Sequence, residues 1–130
     1  MTREFEDITI VSMDEGSSHW PNPRVAMYNI VLNLSGSAPY EWATYFNQRW
    51  KQHIYMGKAR ARVSGRKLHI YCVPDELEKE HMHELNTIIV ETNNAYRIFL
   101  AARIQQEATR EAQEIAERDK LKSIKNNLKF

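Results

Sequence analysis

Glycine, proline and cysteine are scarce in this chain. Its 130 residues include four glycines, four prolines and a single cysteine, Cys72. The sequence has no G-x-S-x-G, P-loop or G-x-G-x-x-G motif, and four glycines leave little to shape a phosphate-binding loop. One cysteine excludes an internal disulfide and paired-cysteine chemistry. We therefore predict a protein that is not an enzyme and has no cofactor, although an acid–base site built from scattered His and Glu would leave no such signature.

Long hydrophobic runs are also missing. No apolar stretch approaches the roughly 18 residues that a membrane-spanning helix needs. The first ten residues, MTREFEDITI, carry acids where a signal peptide has cations and then an apolar segment. The composition, 42% hydrophobic and 27% charged, is that of a globular domain. We expect a cytoplasmic protein with no membrane partner, in agreement with its lone cysteine.

The middle of the chain lacks acidic residues. No Asp or Glu occurs from Trp42 to Pro74, and the same stretch contains seven basic residues. Residues 1–41 have two basic against six acidic side chains, and residues 75–130 have nine against eleven. The net charge of +1 therefore combines a middle of +7 with flanks of −4 and −2. Such segregation is evidence about partners, not about fold.

Two segments before residue 36 are typical of β-strands. Residues 4–13, EFEDITIVSM, are rich in β-branched side chains. In the second segment, apolar side chains alternate at Ala26, Tyr28, Ile30, Leu32 and Leu34. This period of two predicts a half-buried strand. The loop between the segments holds His19 and Trp20, which could close over a ligand or fill a gap in the core.

A helical period follows in residues 36–53. Trp42, Ala43, Phe46 and Trp50 share one face, and polar side chains occupy the other. We predict an amphipathic helix whose aromatic stripe packs on a sheet, in preference to a platform on which nucleobases stack.

Residues 58–71, KARARVSGRKLHIY, predict a β-hairpin. Gly65 and Arg66 form a two-residue turn, with glycine where a positive φ is needed. Pairing across this turn gives one inward face of small or apolar side chains: Ala59, Ala61, Val63, Leu68, Ile70 and Cys72. The outer face pairs Arg62 with His69, Arg60 with Tyr71 and Lys58 with Val73. Cys72 is accordingly expected to be buried and inert.

After Pro74 the sequence has no glycine and no further proline. Acidic residues favour a helix start there, and one helix of about 50 residues would extend about 75 Å. Its apolar stripe changes sides near residues 100–104, so either the helix breaks there and folds back, or its second half packs on another chain. We favour self-association. The predicted domains are an α+β domain, residues 1–100, and a helical extension, residues 101–130, used in oligomerisation.

Together these segments predict the order ββαββα. The expected fold class is α+β, a four-stranded antiparallel sheet with helices on one face and a long C-terminal helical extension. The opposite face of the sheet, which carries Arg60 and Arg62, is expected to be open.

The segment EKEHMHEL, residues 78–85, contains an E-x-x-H spacing. Glu80, His83 and Glu84 share one helical face, as in some di-iron proteins. Such sites need a second copy and further carboxylates, so we interpret the segment as a polar helix face and predict no metal. His81 lies on the apolar stripe and is predicted to be a hydrogen-bonded core histidine.

The outer face of the hairpin is the predicted binding site. Its cations would attract an anion, and Tyr71 or a guanidinium plane would stack on a base. The predicted ligand-binding residues are Lys58, Arg60, Arg62, Arg66, Lys67, His69 and Tyr71. Two alternatives are a face that is merely solvated, and one that meets the acidic helix of a partner subunit.

These observations predict a non-enzymatic, self-associating binding protein. Its partner would be a nucleic acid or an anionic, nucleotide-like small molecule, and its assembly a homo-oligomer. The alternative function is a protein–protein interaction module, an adaptor or inhibitor, that acts through the long C-terminal helix on a protein partner.

Overall fold

The computed structural model describes residues 5–129 and confirms the α+β class and the ββαββα order. The strands are β1 Ile10–Met13, β2 Tyr28–Leu34, β3 Arg60–Ser64 and β4 Lys67–Cys72. The helices are α1 Tyr40–Gln52, a single turn α2 Pro74–Glu76, a π-helical turn Leu77–His81 and α3 Met82–Asn127. β1 is shorter than the predicted strand, of which Glu4 lies outside the described residues.

All four strands form one antiparallel sheet in the order β1-β2-β4-β3. The hairpin register is as predicted, with Val63 opposite Leu68 and Arg62 opposite His69. Gly65 in the turn has a φ of 60°, a backbone conformation that other residues rarely adopt. The local turn therefore fixes which hairpin side chains face the helices.

The core lies between the inner face of the sheet and the helices. Trp42, Phe46 and Trp50 of α1 are at most 3% exposed, so the aromatic stripe is core and not a stacking platform. Ile70 at the centre of β4 is fully buried, as is Leu85 of α3. Each such side chain contributes about 1.5–3 kcal/mol by leaving water.

Cys72 at the end of β4 is 1% exposed, as predicted. Burial raises the pKa of its thiol to about 11. The side chain is therefore protonated at neutral pH, where it packs as a small apolar group.

Asn93 of α3 holds the N-terminal segment against the core. Its Oδ1 accepts hydrogen bonds from the Ile8 backbone N–H (3.0 Å) and from Trp42 Nε1 (2.9 Å). Its Nδ2 donates to the Ile8 carbonyl at 2.9 Å. Asn93 is 3% exposed, so one buried amide satisfies three polar groups that would otherwise be costly to bury.

The outer face of the sheet is less open than expected. Val31 of β2 lies on this face, yet it is only 2% exposed. The loop after β1 runs along β2 here, because Asp14 N–H donates to the Val31 carbonyl (2.8 Å) and Val31 N–H donates to Ser18 Oγ (2.9 Å). The side chains of Arg60 and Arg62 remain exposed on the β3 side of the face.

The chain divides into two compact units, Met1–Tyr96 and Arg97–Phe130. Every residue of α3 is helical from Met82 to Asn127, so the helix has no break at residues 100–104. In the second unit, all residues described from Ala101 to Lys129 are exposed. Within residues 5–129, no helix combines the length and apolar character needed to cross a membrane.

Candidate functional site

Four of the seven predicted ligand-binding residues meet on the outer face of the hairpin. Arg60, Arg62, His69 and Tyr71 line a groove of about 190 Å³, together with Asn29 and Ala61. The strand register brings these side chains together, because Tyr71 of β4 lies opposite Arg60 of β3 on one side and opposite Asn29 of β2 on the other. We call this the outer groove.

The outer groove carries two cations without a counter-charge. Both guanidinium groups belong to exposed residues, and no carboxylate of residues 5–129 lies within salt-bridge distance of either one. Arg60 and Arg62 are two residues apart on the same face of a strand, which separates their Cα atoms by about 7 Å. Arg66 is exposed in the hairpin turn and does not line the groove.

Lys58 is not on the outer face, contrary to its predicted pairing with Val73. Its Nζ donates to the backbone carbonyls of Trp50, Lys51 and His53 at the end of α1. It also lies 5.6 Å from the centroid of the Trp50 ring. The last carbonyls of a helix have no partner within the helix and attract a cation, so Lys58 closes α1 and does not line the outer groove.

Lys67 lies on the outer face but has a partner within the chain. Its Nζ is 2.8 Å from Asp14 Oδ2 and also donates to Asn33 Oδ1. The hydrogen bond from Lys67 lowers the pKa of Asp14, and one from Ser17 lowers it further. The Asp14 carboxylate is therefore ionised at neutral pH and balances the charge of Lys67.

His69 contributes polarity to the outer groove without adding charge. Burial lowers its pKa from the ordinary value of 6.5, and the charges of Arg62 and Lys67 lower it further. The imidazole is therefore neutral at neutral pH, with one nitrogen as donor and the other as acceptor.

A second groove, of about 410 Å³, lies along the edge of β3. Asn47, Trp50 and Lys51 of α1 line one side of it. The other side is lined by Lys58, Ala59, Arg60 and Ala61. We call this the edge groove. Because Arg60 and Ala61 line both grooves, an anion in either one meets the same guanidinium group.

No family model, no curated protein and no solved structure matches this chain. Sequence reasoning missed Asn29 and Asn47 as site residues. Asn29 alternates with the apolar positions of β2, but its place in the groove depends on β2 lying beside β4. Nothing in the sequence indicates that Asn47 meets β3.

His81 and Glu84, which follow β4, contact side chains of the segment between α1 and β3, whereas Glu80 and His83 are exposed. His81 is 1% exposed and its Nδ1 is 2.7 Å from the Tyr55 hydroxyl, which confirms a hydrogen-bonded core histidine. Glu84 Oε2 is 2.6 Å from His53 Nε2. Between Phe5 and Lys129, no group of three or more His, Cys, Asp or Glu residues could hold a metal ion.

Trp20 in the loop after β1 does not line the outer groove. Its ring stacks on Tyr28 with centroids 5.5 Å apart, and its Nε1 donates to the Val25 carbonyl at 2.8 Å. His19 pairs with Asn29 through the backbone of both residues. The two residues therefore fasten the loop to β2.

Proposed function

We propose that the protein binds an anionic ligand, a nucleic acid or a nucleotide, through the outer groove. The supporting observation is the pair of exposed guanidinium groups, Arg60 and Arg62, that no carboxylate of residues 5–129 balances. Guanidinium groups recognise phosphate oxygens in pairs of parallel hydrogen bonds. Tyr71 would stack on a base, and Arg66 at the turn would make a peripheral phosphate contact.

The contrast with the other cations of the hairpin supports this role. Lys58 and Lys67 are each held by acceptors of the same molecule. Arg60 and Arg62 lie beside one another, and neither has such an acceptor among residues 5–129. Like charges at that spacing repel. A phosphate bound between the two guanidinium groups would remove this repulsion. A sheet face that is merely solvated does not require two arginines in a groove beside Tyr71.

The double change Arg60→Ala and Arg62→Ala tests the proposal. A labelled single-stranded oligonucleotide of about ten nucleotides, within the usual site size, is the probe in fluorescence anisotropy. Losing two phosphate contacts reduces the salt slope by about 1.4, which weakens binding about 25-fold at about 0.1 M salt. Unfolding stability should change by less than about 0.5 kcal/mol per site, because both side chains are exposed.

Arg24→Ala with Lys79→Ala is the matched control. It removes the same charge from two exposed positions that line neither the outer groove nor the edge groove. Equal losses of affinity in both double variants would mean that net charge alone governs binding. That result, or undiminished binding by the Arg60 and Arg62 variant, would contradict the outer groove as the site.

We further propose that the second unit mediates self-association, which would make the protein a homo-oligomer. Its supporting observation is a set of large apolar side chains that are 47–72% exposed: Ile98, Ile104, Ile115, Leu121, Ile124 and Leu128. Residues 107–119 contain five acidic and two basic side chains, and residues 120–129 contain four lysines and no acid. An antiparallel second copy would bring these opposite charges together, which makes a second copy the favoured partner.

The pair Ile104→Asp and Ile115→Asp should shift the protein to lower mass in light scattering. Burying a carboxylate without a partner is costly, so the charged variant cannot keep an apolar contact. Gln105→Asp with Gln113→Asp makes the same charge change at exposed polar positions and should keep the wild-type mass. A wild-type protein that is monomeric at every concentration would contradict self-association.

The buried, single Cys72 supports a cytoplasmic location, where disulfides are rare.

A further inference from the structure

The strand β3 lies at one edge of the sheet, so half of its backbone groups point away from β4. Val63 shows which half, because its N–H and C=O bond to the Asn47 side chain and not to β4. Residues two apart in an antiparallel strand point their backbone groups to the same side. The outward groups of β3 and its approach therefore belong to Ala59, Ala61 and Val63.

Side chains of the same molecule occupy two of these three positions. The Val63 N–H donates to Asn47 Oδ1 at 2.8 Å, and Asn47 Nδ2 donates to the Val63 carbonyl at 3.3 Å. The Ala59 carbonyl accepts from Trp50 Nε1 at 3.0 Å, and its N–H reaches the Tyr55 hydroxyl at 3.4 Å. A peptide strand adds to a sheet edge through consecutive outward positions, so these contacts block strand addition to β3.

Ala61 is the outward position between the two blocked ones. Neither its N–H nor its C=O has a hydrogen-bond partner among residues 5–129 on this side of the strand. Ala61 lines both the outer groove and the edge groove, and Arg60 and Arg62 precede and follow it in the chain. Ala61 itself is half-buried, so this donor and acceptor lie at the edge of the sheet between two cations.

The Asn47 contact shows what chemical group fits such a position. A carboxamide presents an acceptor beside a donor in one plane, and it meets both backbone groups of Val63 at once. Every nucleobase carries an acceptor next to a donor on its Watson–Crick edge, for example O4 and N3–H of uracil. In a duplex these edges are engaged in base pairing, whereas unpaired bases expose them to proteins.

We propose that Ala61 binds the Watson–Crick edge of an unpaired nucleobase through its backbone N–H and C=O, while Arg60 and Arg62 hold the adjoining phosphates. This inference rests on the proposed anion-binding function and narrows its ligand to single-stranded nucleic acid. It also assigns to Asn47, Trp50 and Tyr55 the role of keeping the rest of the β3 edge closed to peptide strands.

The test compares two probes that differ only at the base edge. They are oligouridine of about ten nucleotides and the same oligomer with N3-methyluridine throughout, which keeps the phosphates but replaces the N3–H donor. We expect the full-length protein to bind oligouridine about two- to tenfold more tightly, the effect of a net hydrogen bond. It should also bind a mixed-sequence single strand more tightly than the corresponding duplex.

A protein variant tests the same contact from the other side. Ala61→Pro removes the outward N–H at an edge position where proline is tolerated, and Ala61→Gly keeps both backbone groups as a control. The proline variant should lose the preference for oligouridine over the methylated probe, and the glycine variant should keep it. The probe comparison on the wild-type chain stands by itself if the proline variant fails to fold.

The outcomes separate this inference from the proposed function. Equal affinity for both probes, with binding that still falls on Arg60→Ala and Arg62→Ala, would overturn the role of Ala61 and leave anion binding standing. Binding of neither probe above the level of that double variant would overturn both proposals. A preference for the unmethylated probe that Ala61→Pro leaves intact would place the base contact elsewhere and overturn the role of Ala61.

Discussion

The two ends of the β3–β4 hairpin differ from its centre in what their cations do. Lys58, just before β3, closes the last turn of α1, and Lys67, at the start of β4, pairs with Asp14. Arg60 and Arg62, between them in the chain, have no carboxylate partner in the part of the chain that the structure describes. Charge density along a sequence therefore does not identify a binding surface, because the fold has already used some of the cations.

The chemistry of the two residue types agrees with this division. The lysine ammonium is a compact charge that fits between converging backbone carbonyls, as at the end of α1. The guanidinium group is planar and presents paired donors that match a phosphate. The two lysines are therefore used by the fold, whereas the guanidinium groups of Arg60 and Arg62 remain available for the proposed ligand.

Trp50→Ala should have the largest effect on stability. Trp50 is 3% exposed, underlies Lys58 and donates to the Ala59 carbonyl, so its loss leaves a cavity and a carbonyl without that donor. We expect a loss of about 3–5 kcal/mol in urea unfolding. Arg60→Ala, at the next residue after Ala59, should change stability by less than about 0.5 kcal/mol. Similar losses in both variants would remove the distinction between the end and the centre of the hairpin.

Lys58→Met should lower stability by a smaller amount and leave ligand binding unchanged. Methionine keeps most of the aliphatic chain but removes the cation from the end of α1, at a cost of about 1–2 kcal/mol. Arg62→Met should do the opposite, with stability kept and oligonucleotide affinity reduced. Urea unfolding measures the stability of both variants, and fluorescence anisotropy measures their affinity for the oligonucleotide. If Lys58→Met weakened oligonucleotide binding without lowering stability, Lys58 would be a ligand-binding residue and this prediction would be wrong.

The elements that sequence analysis predicted correctly depend on local periods. The alternation of β2, the aromatic stripe of α1 and the glycine of the hairpin turn each act within a few residues. The sequence pattern alone therefore predicts these elements. The placement of Arg60 opposite Tyr71 followed from the turn in the same way. The shared face of Arg60, Arg62, His69 and Tyr71 was therefore predicted before any tertiary contact was known.

The incorrect predictions about Lys58 and Lys67 have two causes. One is a contact between segments that are distant in the chain, and the other is a position beyond the end of a strand. Asp14 and Lys67 are 53 residues apart, and no local pattern indicates their pairing. Lys58 lies just outside β3, where the chain turns back toward α1 and the alternation of the strand no longer applies. The edge position of β3 depends on the strand order, which the ββαββα pattern leaves open.

Asp14→Asn should have the smallest effect, in the direction of tighter binding. Removing the carboxylate leaves the charge of Lys67 unbalanced, so the outer face gains a third cation for the ligand. One further phosphate contact steepens the salt slope by about 0.7, which raises oligonucleotide affinity by up to about fivefold at about 0.1 M salt. Glu15→Gln is the matched control, because it makes the same charge change at an exposed neighbouring residue.

The pH dependence of stability distinguishes the Asp14 contact from a general charge effect. The pKa of Asp14 is lowered in the folded state, so its contribution is present above the ordinary value of 3.8 and is lost as the pH falls through the lower, folded value. Asp14→Asn should therefore be less stable than wild type at neutral pH, and the two should converge on acidification. Glu15→Gln, which leaves the contact between Asp14 and Lys67 intact, is measured beside it as the charge control. Equal gains in affinity from both variants would mean that net charge, and not the release of Lys67, limits binding at the hairpin.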